Sequence, residues 1–387
     1  MADSDILSGL VELIRRNAAE ADRTGTFPVE NLTALKNSGL MGLLVPKEQG
    51  GREASLAEFT DIAQQLAGAC LSTAMIWAMH CQQVDILRRH AHRELAARLL
   101  PRIAAGEVYL ASVTTENGKG GLLTAAQDPL RTDGTRSLSF ERDAPVVTGG
   151  RHADGFLITL RARPDANARE VSLVYADRSE LKAEETGDWE ALGMRATESI
   201  GLRLSGQVPR TNLIGDPGQF TEVAVDSMIP LAHLGWSACW LGAARGVFAQ
   251  LVSWLREPTR RGGPDLHSDL VKERLARVRF DLELVHAYLQ RATEEVTAVR
   301  ASGQSVTATP VQLHLNTLKL AASELCFAAV DRMVQLAGLS GGYSSRAPLP
   351  LERVFRDLRS AALNYANDRL WTVNGGLLML DRDVTLL

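Results

Sequence analysis

The hydrophobic period of the chain changes twice. Over the first hundred or so residues, apolar positions recur at steps of three and four, as on one face of a helix. Ile6, Leu7, Leu10, Val11 and Ile14 form one such stripe, with Asp3 or Ser4 placed to cap its start. Pro28 opens a second helix that carries Leu32 and Leu35 and ends near Gly39. A turn occupies 46–51, longer helical patterns cover 56–68 and 72–87, and a short one precedes Gly106. The period then falls to two. Segments 107–113, 155–160 and 171–175 read as strands and 199–208 alternates in part, with Gly, Asp, Asn and Pro clusters between them. Helical period returns in four long patterns at 223–255, 266–301, 310–337 and 352–380, separated by Gly- and Pro-rich turns at 262–264 and 338–350. The expected architecture is mainly α with a central β domain. An N-terminal helical domain spans 1–110, a middle antiparallel β-barrel or sandwich 111–217, and a C-terminal four-helix bundle 218–387.

At 387 residues the chain exceeds one core of usual size, which agrees with several domains. Apolar residues at 45% and charged residues at 23% are the balance of a soluble globular protein, and a net charge of -4 argues against general nucleic-acid binding. Cys70, Cys81, Cys239 and Cys326 are scattered without a C-x-x-C pair, so buried thiols are expected rather than disulfides or a metal site. The first residues are acidic and polar, and the most apolar stretch, 228–244, contains His233 and is short for a membrane span. A cytoplasmic protein with no membrane partner is expected. Gly118-Lys119-Gly120-Gly121 invites a phosphate-cradle reading, but no Lys-Ser/Thr pair follows and no dinucleotide fingerprint opens a helix.

Four segments, in order, carry a family resemblance. Phe27-Pro28 leads through Gly39-Leu40-Met41-Gly42-Leu43-Leu44-Val45-Pro46 to Gly50-Gly51. Val113-Thr114-Thr115-Glu116-Asn117-Gly118-Lys119-Gly120-Gly121 resembles a T-E-P-x-A-G-S loop. Leu192-Gly193-Met194-Arg195-Ala196-Thr197 continues to Val208-Pro209 and Asn212-Leu213-Ile214-Gly215. Val334-Gln335 and Gly338 precede Pro350-Leu351-Glu352-Arg353-Val354-Phe355-Arg356-Asp357. Together they resemble the acyl-CoA dehydrogenase superfamily over nearly the whole chain. The resemblance implies a flavin, FAD or alternatively FMN, between the β domain and the bundle, in a homo-oligomer of two or four subunits. It places Thr115 and Thr148 against the isoalloxazine ring, and Gln335, with Gly338 beside it, near the adenine half of a neighbouring subunit's FAD. Hydroxyls suit a flavin because its carbonyls and ring nitrogens need both donors and acceptors. Read without that resemblance, Thr115 and Thr148 are strand-end hydroxyls satisfying nearby backbone, and Arg356 and Asp357 can be a structural ion pair.

The chain also departs from the family pattern. The dehydrogenases need a carboxylate to remove a proton α to a thioester. The positions that align with it are Tyr365 or Ala366, and the alternative place on the first bundle helix reads Pro230-Leu231-Ala232-His233-Leu234. A tyrosine hydroxyl, with a pKa of about 10, is a poor base at neutral pH. Asp368 is the nearest carboxylate that could be a relocated base. The loop serine that helps hold acyl-CoA is Gly121 here, and the arginine that grips the FAD pyrophosphate falls on Pro258, with Arg260 or Arg261 as substitutes. These losses resemble the two-component flavin monooxygenases, which take reduced flavin from a separate reductase and pass one atom of O2 to an organic substrate. In that reading His80, in the helix the family sets above the flavin, is a candidate donor to the activated oxygen; the alternative is a buried histidine bonded to a carbonyl. The expected function is a flavin-dependent monooxygenase. The alternatives are a thioester dehydrogenase or oxidase with a relocated base, and a non-catalytic flavin-binding homologue.

Overall fold

The chain's computed structural model describes residues 3–118, 121–132, 134, 136–257 and 263–387. Five helices come first: α1 (Asp3–Thr24), α2 (Val29–Asn37), α3 (Leu56–Ala67), α4 (Leu71–His90) and α5 (Arg93–Ala104). Ser55 caps α3 by accepting a 3.1 Å hydrogen bond from the Glu58 N–H. α4 is buried along most of its length and on every side, because α3, the bundle and the β domain all pack against it.

Eight strands follow: β1 (Leu110–Val113), β2 (Arg131–Thr132), β3 (Ser137–Ala144), β4 (Gly155–Arg161), β5 (Val171–Asp177), β6 (Leu181–Gly187), β7 (Gly201–Pro209) and β8 (Leu213–Ile214). They form two four-stranded sheets, ordered β1-β4-β5-β8 and β2-β3-β7-β6. All pairs are antiparallel but one: β1 runs parallel to β4, with Leu110 opposite Gly155. The other strand pairs make the domain antiparallel, as expected. A parallel pair needs a long connection, and the chain from β1 travels through β2 and β3 before it returns as β4. β4 and β5 are buried on both faces, which explains their unbroken apolar runs.

The remaining helices are α6 (Phe220–Val223), α7 (Ile229–Arg256), α8 (Asp269–Ala301), α9 (Thr309–Gly338), α10 (Leu351–Leu358) and α11 (Asn367–Leu378). A π-helical segment, Ala224–Met228, runs straight into α7. The fourth bundle pattern is not one helix. It breaks between α10 and α11, where Tyr365 takes a left-handed φ of 49°. Lys319, fully buried on α9, holds the break: its Nζ donates to the Tyr365 carbonyl at 3.2 Å and to Asn367 Oδ1 at 2.6 Å.

Two contacts fix the bundle against its neighbours. A Cβ on Gly242 of α7 would lie 2.3 Å from the Gln64 carbonyl of α3, so only glycine permits this crossing. A Cβ on Gly193 would lie 2.1 Å from the Arg356 carbonyl, and Asp357 Oδ1 accepts the Met194 N–H at 2.5 Å. Arg356 turns instead to Asp22 at 2.6 Å and Glu352 at 2.7 Å. The alternative of an ion pair between Arg356 and Asp357 gives way to two separate ties, one to α1 and one to the segment before β7.

Candidate active site

A cavity of about 400 Å³ lies where α4, the segment after β1, the start of α7 and the break before α11 meet. Most of its wall is apolar, from residues such as Met79, Leu123, Ile229 and Ala232. Several of its polar groups are engaged by the protein itself. Thr115 reaches the cavity, and its hydroxyl donates to the Val146 carbonyl at 2.7 Å and accepts from the Val146 N–H at 3.3 Å. Gln82 donates to the Met228 carbonyl at 2.7 Å.

Glu116 is the only carboxylate among the described residues that line the cavity. It is not free. The fully buried Arg142 guanidinium lies 2.5 Å away, and the backbone N–H groups of Gln127 and Asp128 donate to it at 2.9 and 2.8 Å. Burial pushes this carboxyl up, but the Asp128 N–H and the Arg142 charge outweigh it and hold it below the usual carboxylate range. A carboxylate held so firmly in its charged form, with its lone pairs taken, is a poor proton acceptor.

From α7 the cavity receives His233 and Trp236, one turn apart with ring centroids 6.2 Å apart. His233 Nδ1 and Trp236 Nε1 are buried and have no partner among the described residues. Burial, with the Lys319 charge behind it and a hydrogen bond to the Leu315 backbone opposing, pushes His233 down to about 3. Its imidazole is therefore neutral. Tyr365 stands 6.5 Å from it, centroid to centroid, and burial raises the Tyr365 hydroxyl further from neutral pH although Arg369 pulls it down.

The structure separates the residues expected to work together. Thr115 and Tyr365 line the cavity. His80 does not: it is fully buried, its Nε2 lies 2.9 Å from the Met41 carbonyl, and its Nδ1 accepts the Leu110 N–H at 3.1 Å. Both ring nitrogens serve the backbone, which is the second of the two readings set out for it. Thr148 lies outside the cavity wall, with its hydroxyl 3.0 Å from Ser199 Oγ. Asp368 is exposed on α11 and absent from the wall. Gln335 is exposed on α9 and donates to Asp331 at 2.8 Å; Gly338 ends that helix at a φ of 68°. Arg260 and Arg261 lie outside the described residues. Sequence reasoning missed Met79 and Gln82, which face the cavity one and two residues from His80. One residue along a helix turns about 100°. It also missed Arg369, which reaches the cavity from the first turn of α11.

Two family models match: acyl-CoA dehydrogenase, N-terminal domain, over residues 10–107, and acyl-CoA dehydrogenase, C-terminal domain, over 234–368. Together they cover more than half of the chain. The chain belongs to the acyl-CoA dehydrogenase superfamily. Members of this superfamily are flavin-dependent oxidoreductases. An L-evernosamine nitrososynthase from a Micromonospora is 26% identical over 397 residues, spanning 98% of this chain and 90% of the relative. A short-chain specific acyl-CoA dehydrogenase from Clostridium acetobutylicum is 25% identical over 346 residues, spanning 88% and 87%. Among solved structures, FMN-bound TdsC from a Paenibacillus, a dibenzothiophene monooxygenase, superposes with a TM-score of 0.87 at 21% identity, covering 99% of this chain and 98% of that one. The superfamily fold is thus shared with both dehydrogenases and oxygenases. Among the described residues no helix is long and apolar enough to cross a membrane, and no three His, Cys, Asp or Glu side chains gather as a metal site.

Proposed function

We propose that the chain is a flavin-dependent monooxygenase that uses reduced flavin and O2 to oxygenate a small or medium-sized organic substrate. One observation carries this reading: the cavity offers no carboxylate free to take an α-proton. Glu116 is locked by Arg142, Tyr365 and Ala366 occupy the expected base positions, and Asp368 lies outside the wall. The dehydrogenase alternative depends on such a base, and nothing in the geometry favours it.

The cavity residues fit a flavin ring. Thr115 and its neighbours Ser112 and Thr114 put hydroxyl-bearing side chains on the wall, and His233 and Trp236 hold buried polar atoms that lack partners within the protein. When bound and reduced, the flavin supplies two electrons and activates O2; one oxygen atom enters the substrate and the other leaves as water. The protein's own task is to keep water out and hold the substrate. The apolar wall excludes water, and the neutral His233 orients without donating a charge-carrying proton. FAD and FMN share the ring that this cavity would receive, and a separate reductase would deliver it in reduced form.

The test is anaerobic. Butyryl-CoA or isovaleryl-CoA, added to the oxidised, flavin-loaded protein, should leave the flavin absorbance unchanged over minutes. Loss of a general base alone typically slows such a step about a hundred- to ten-thousand-fold. Bleaching within seconds would replace the monooxygenase reading with the dehydrogenase one.

A further inference from the structure

Arg369 carries an unspent charge at the cavity. It lines the wall from the first turn of α11, and no described carboxylate pairs with its guanidinium. Glu116, the only carboxylate among the described residues of that wall, already has Arg142 at 2.5 Å and two backbone N–H donors. The guanidinium also lies against Gly121, the exposed residue that stands where the resemblance implies a substrate-holding serine. A Cβ at Gly121 would come within 2.9 Å of Arg369 Nη1 and 3.4 Å of its Cζ, and the backbone there has a φ of 74°. A side chain at Gly121 and the observed place of Arg369 therefore exclude each other. At this corner the site has a cation in place of a neutral hydroxyl. A half-buried guanidinium beside an apolar cavity gains most from a planar oxyanion that takes two of its N–H donors.

We propose that Arg369 anchors an oxyanion of the substrate, a carboxylate or phosphate carried on the part that faces solvent, so that the enzyme selects organic anions over neutral compounds of the same shape. The clause that this substrate is then oxygenated rests on the monooxygenase reading; the binding claim does not. Trp236 and the neutral His233 line the same cavity, so the apolar body of the substrate packs among these walls while its charge stays at the corner of Arg369 and Gly121.

The test uses the full-length, flavin-loaded protein in its oxidised state, with calorimetric titration of indole and of indole-3-acetate, which differ by the carboxylate. The wild type should bind indole-3-acetate about tenfold more tightly. Arg369→Gln should bring the two within about twofold of each other while leaving indole unchanged, and Arg369→Lys should keep part of the preference. The wild-type preference should also shrink several-fold at high salt, a reading that stands even if Arg369→Gln does not fold. A parallel titration of the flavin-free protein with FMN and riboflavin separates the two sources of oxyanion. If Arg369→Gln loses only the FMN-over-riboflavin preference, the guanidinium serves the cofactor phosphate and the proposal is overturned. Equal wild-type affinities, no binding of either indole, or a preference that survives Arg369→Gln overturns it too. No reductant or turnover is involved, so a failure here is separate from a failure to transfer oxygen.

Discussion

Three groups hold the Glu116 carboxylate: the Arg142 guanidinium and the N–H groups of Gln127 and Asp128. The glutamate was legible in the loop motif, but its partner was not, because Arg142 sits in the middle of β3, where an alternating charged strand reads as surface. His80, a polar residue in the expected helix, faces away from the cavity, as in the reading of a buried histidine bonded to a carbonyl. Its two hydrogen bonds join α4 to the Met41 and Leu110 backbones, and its depressed pKa has a consequence for stability. Burial, aided by Lys36 and opposed by the Met41 bond, lowers the imidazole from 6.5 to about 4. As pH falls through that window the unfolded chain takes up a proton that the folded one refuses, so stability present above pH 6.5 is lost toward pH 4. His233, lowered to about 3, adds a slope of the same sign; Asp357, raised to about 7 by burial against its bond from Met194, adds the opposite one between about pH 4 and 7. His80→Gln should therefore flatten, without abolishing, the fall in melting temperature between pH 6.5 and 4. Calorimetry across that range checks this; an unchanged slope would remove the assignment of His80 as a neutral core histidine.

At the scale of elements, the long helices and the buried strands were legible because each repeats one period over many residues. β6 was not, since most of its residues are exposed and no apolar alternation marks it. The break between α10 and α11 was hidden for a different reason: no Gly or Pro marks residues 359–366, where the backbone turns at Tyr365. Only a tertiary contact reveals it, the Lys319 ammonium that meets the Tyr365 carbonyl and Asn367 and lies 5.7 Å from the Trp240 ring centroid. Because Tyr365 and Arg369 both reach the cavity from this turn, Lys319→Met should do two things. It should lower unfolding free energy by about 1–3 kcal/mol, for the bonds lost and the acceptors left bare, and it should weaken flavin binding several-fold. Denaturant unfolding and flavin titration measure the two effects; a variant that loses stability but binds flavin normally would show that the turn does not shape the site.

Over the whole molecule, the three groups of elements are held together by charge as well as by packing. Asp85 of α4, fully buried, pairs with Arg300 of α8 at 3.0 Å and with Arg88 at 2.7 Å. The order helical, β, helical was readable from period alone, whereas this tie was not, since its members lie 215 residues apart. The isolated chain leaves large apolar side chains in water: Phe280 of α8 is 61% exposed, Trp371 of α11 55% and Met379 81%. We propose that a homo-oligomer, dimer or tetramer, covers them, and sedimentation at micromolar concentration should show a particle at least twice the 42.0 kDa chain. A stable flavin-loaded monomer would exclude that. The central claim, that this superfamily member handles oxygen rather than a thioester, is tested most directly by rapid mixing of the reduced, flavin-loaded protein with O2 while the absorbance spectrum is followed. The account predicts an oxygen-dependent species, distinct from both reduced and oxidised flavin, that persists for seconds or longer in the apolar cavity. Direct return to oxidised flavin with stoichiometric release of hydrogen peroxide, with and without candidate substrates, would contradict it.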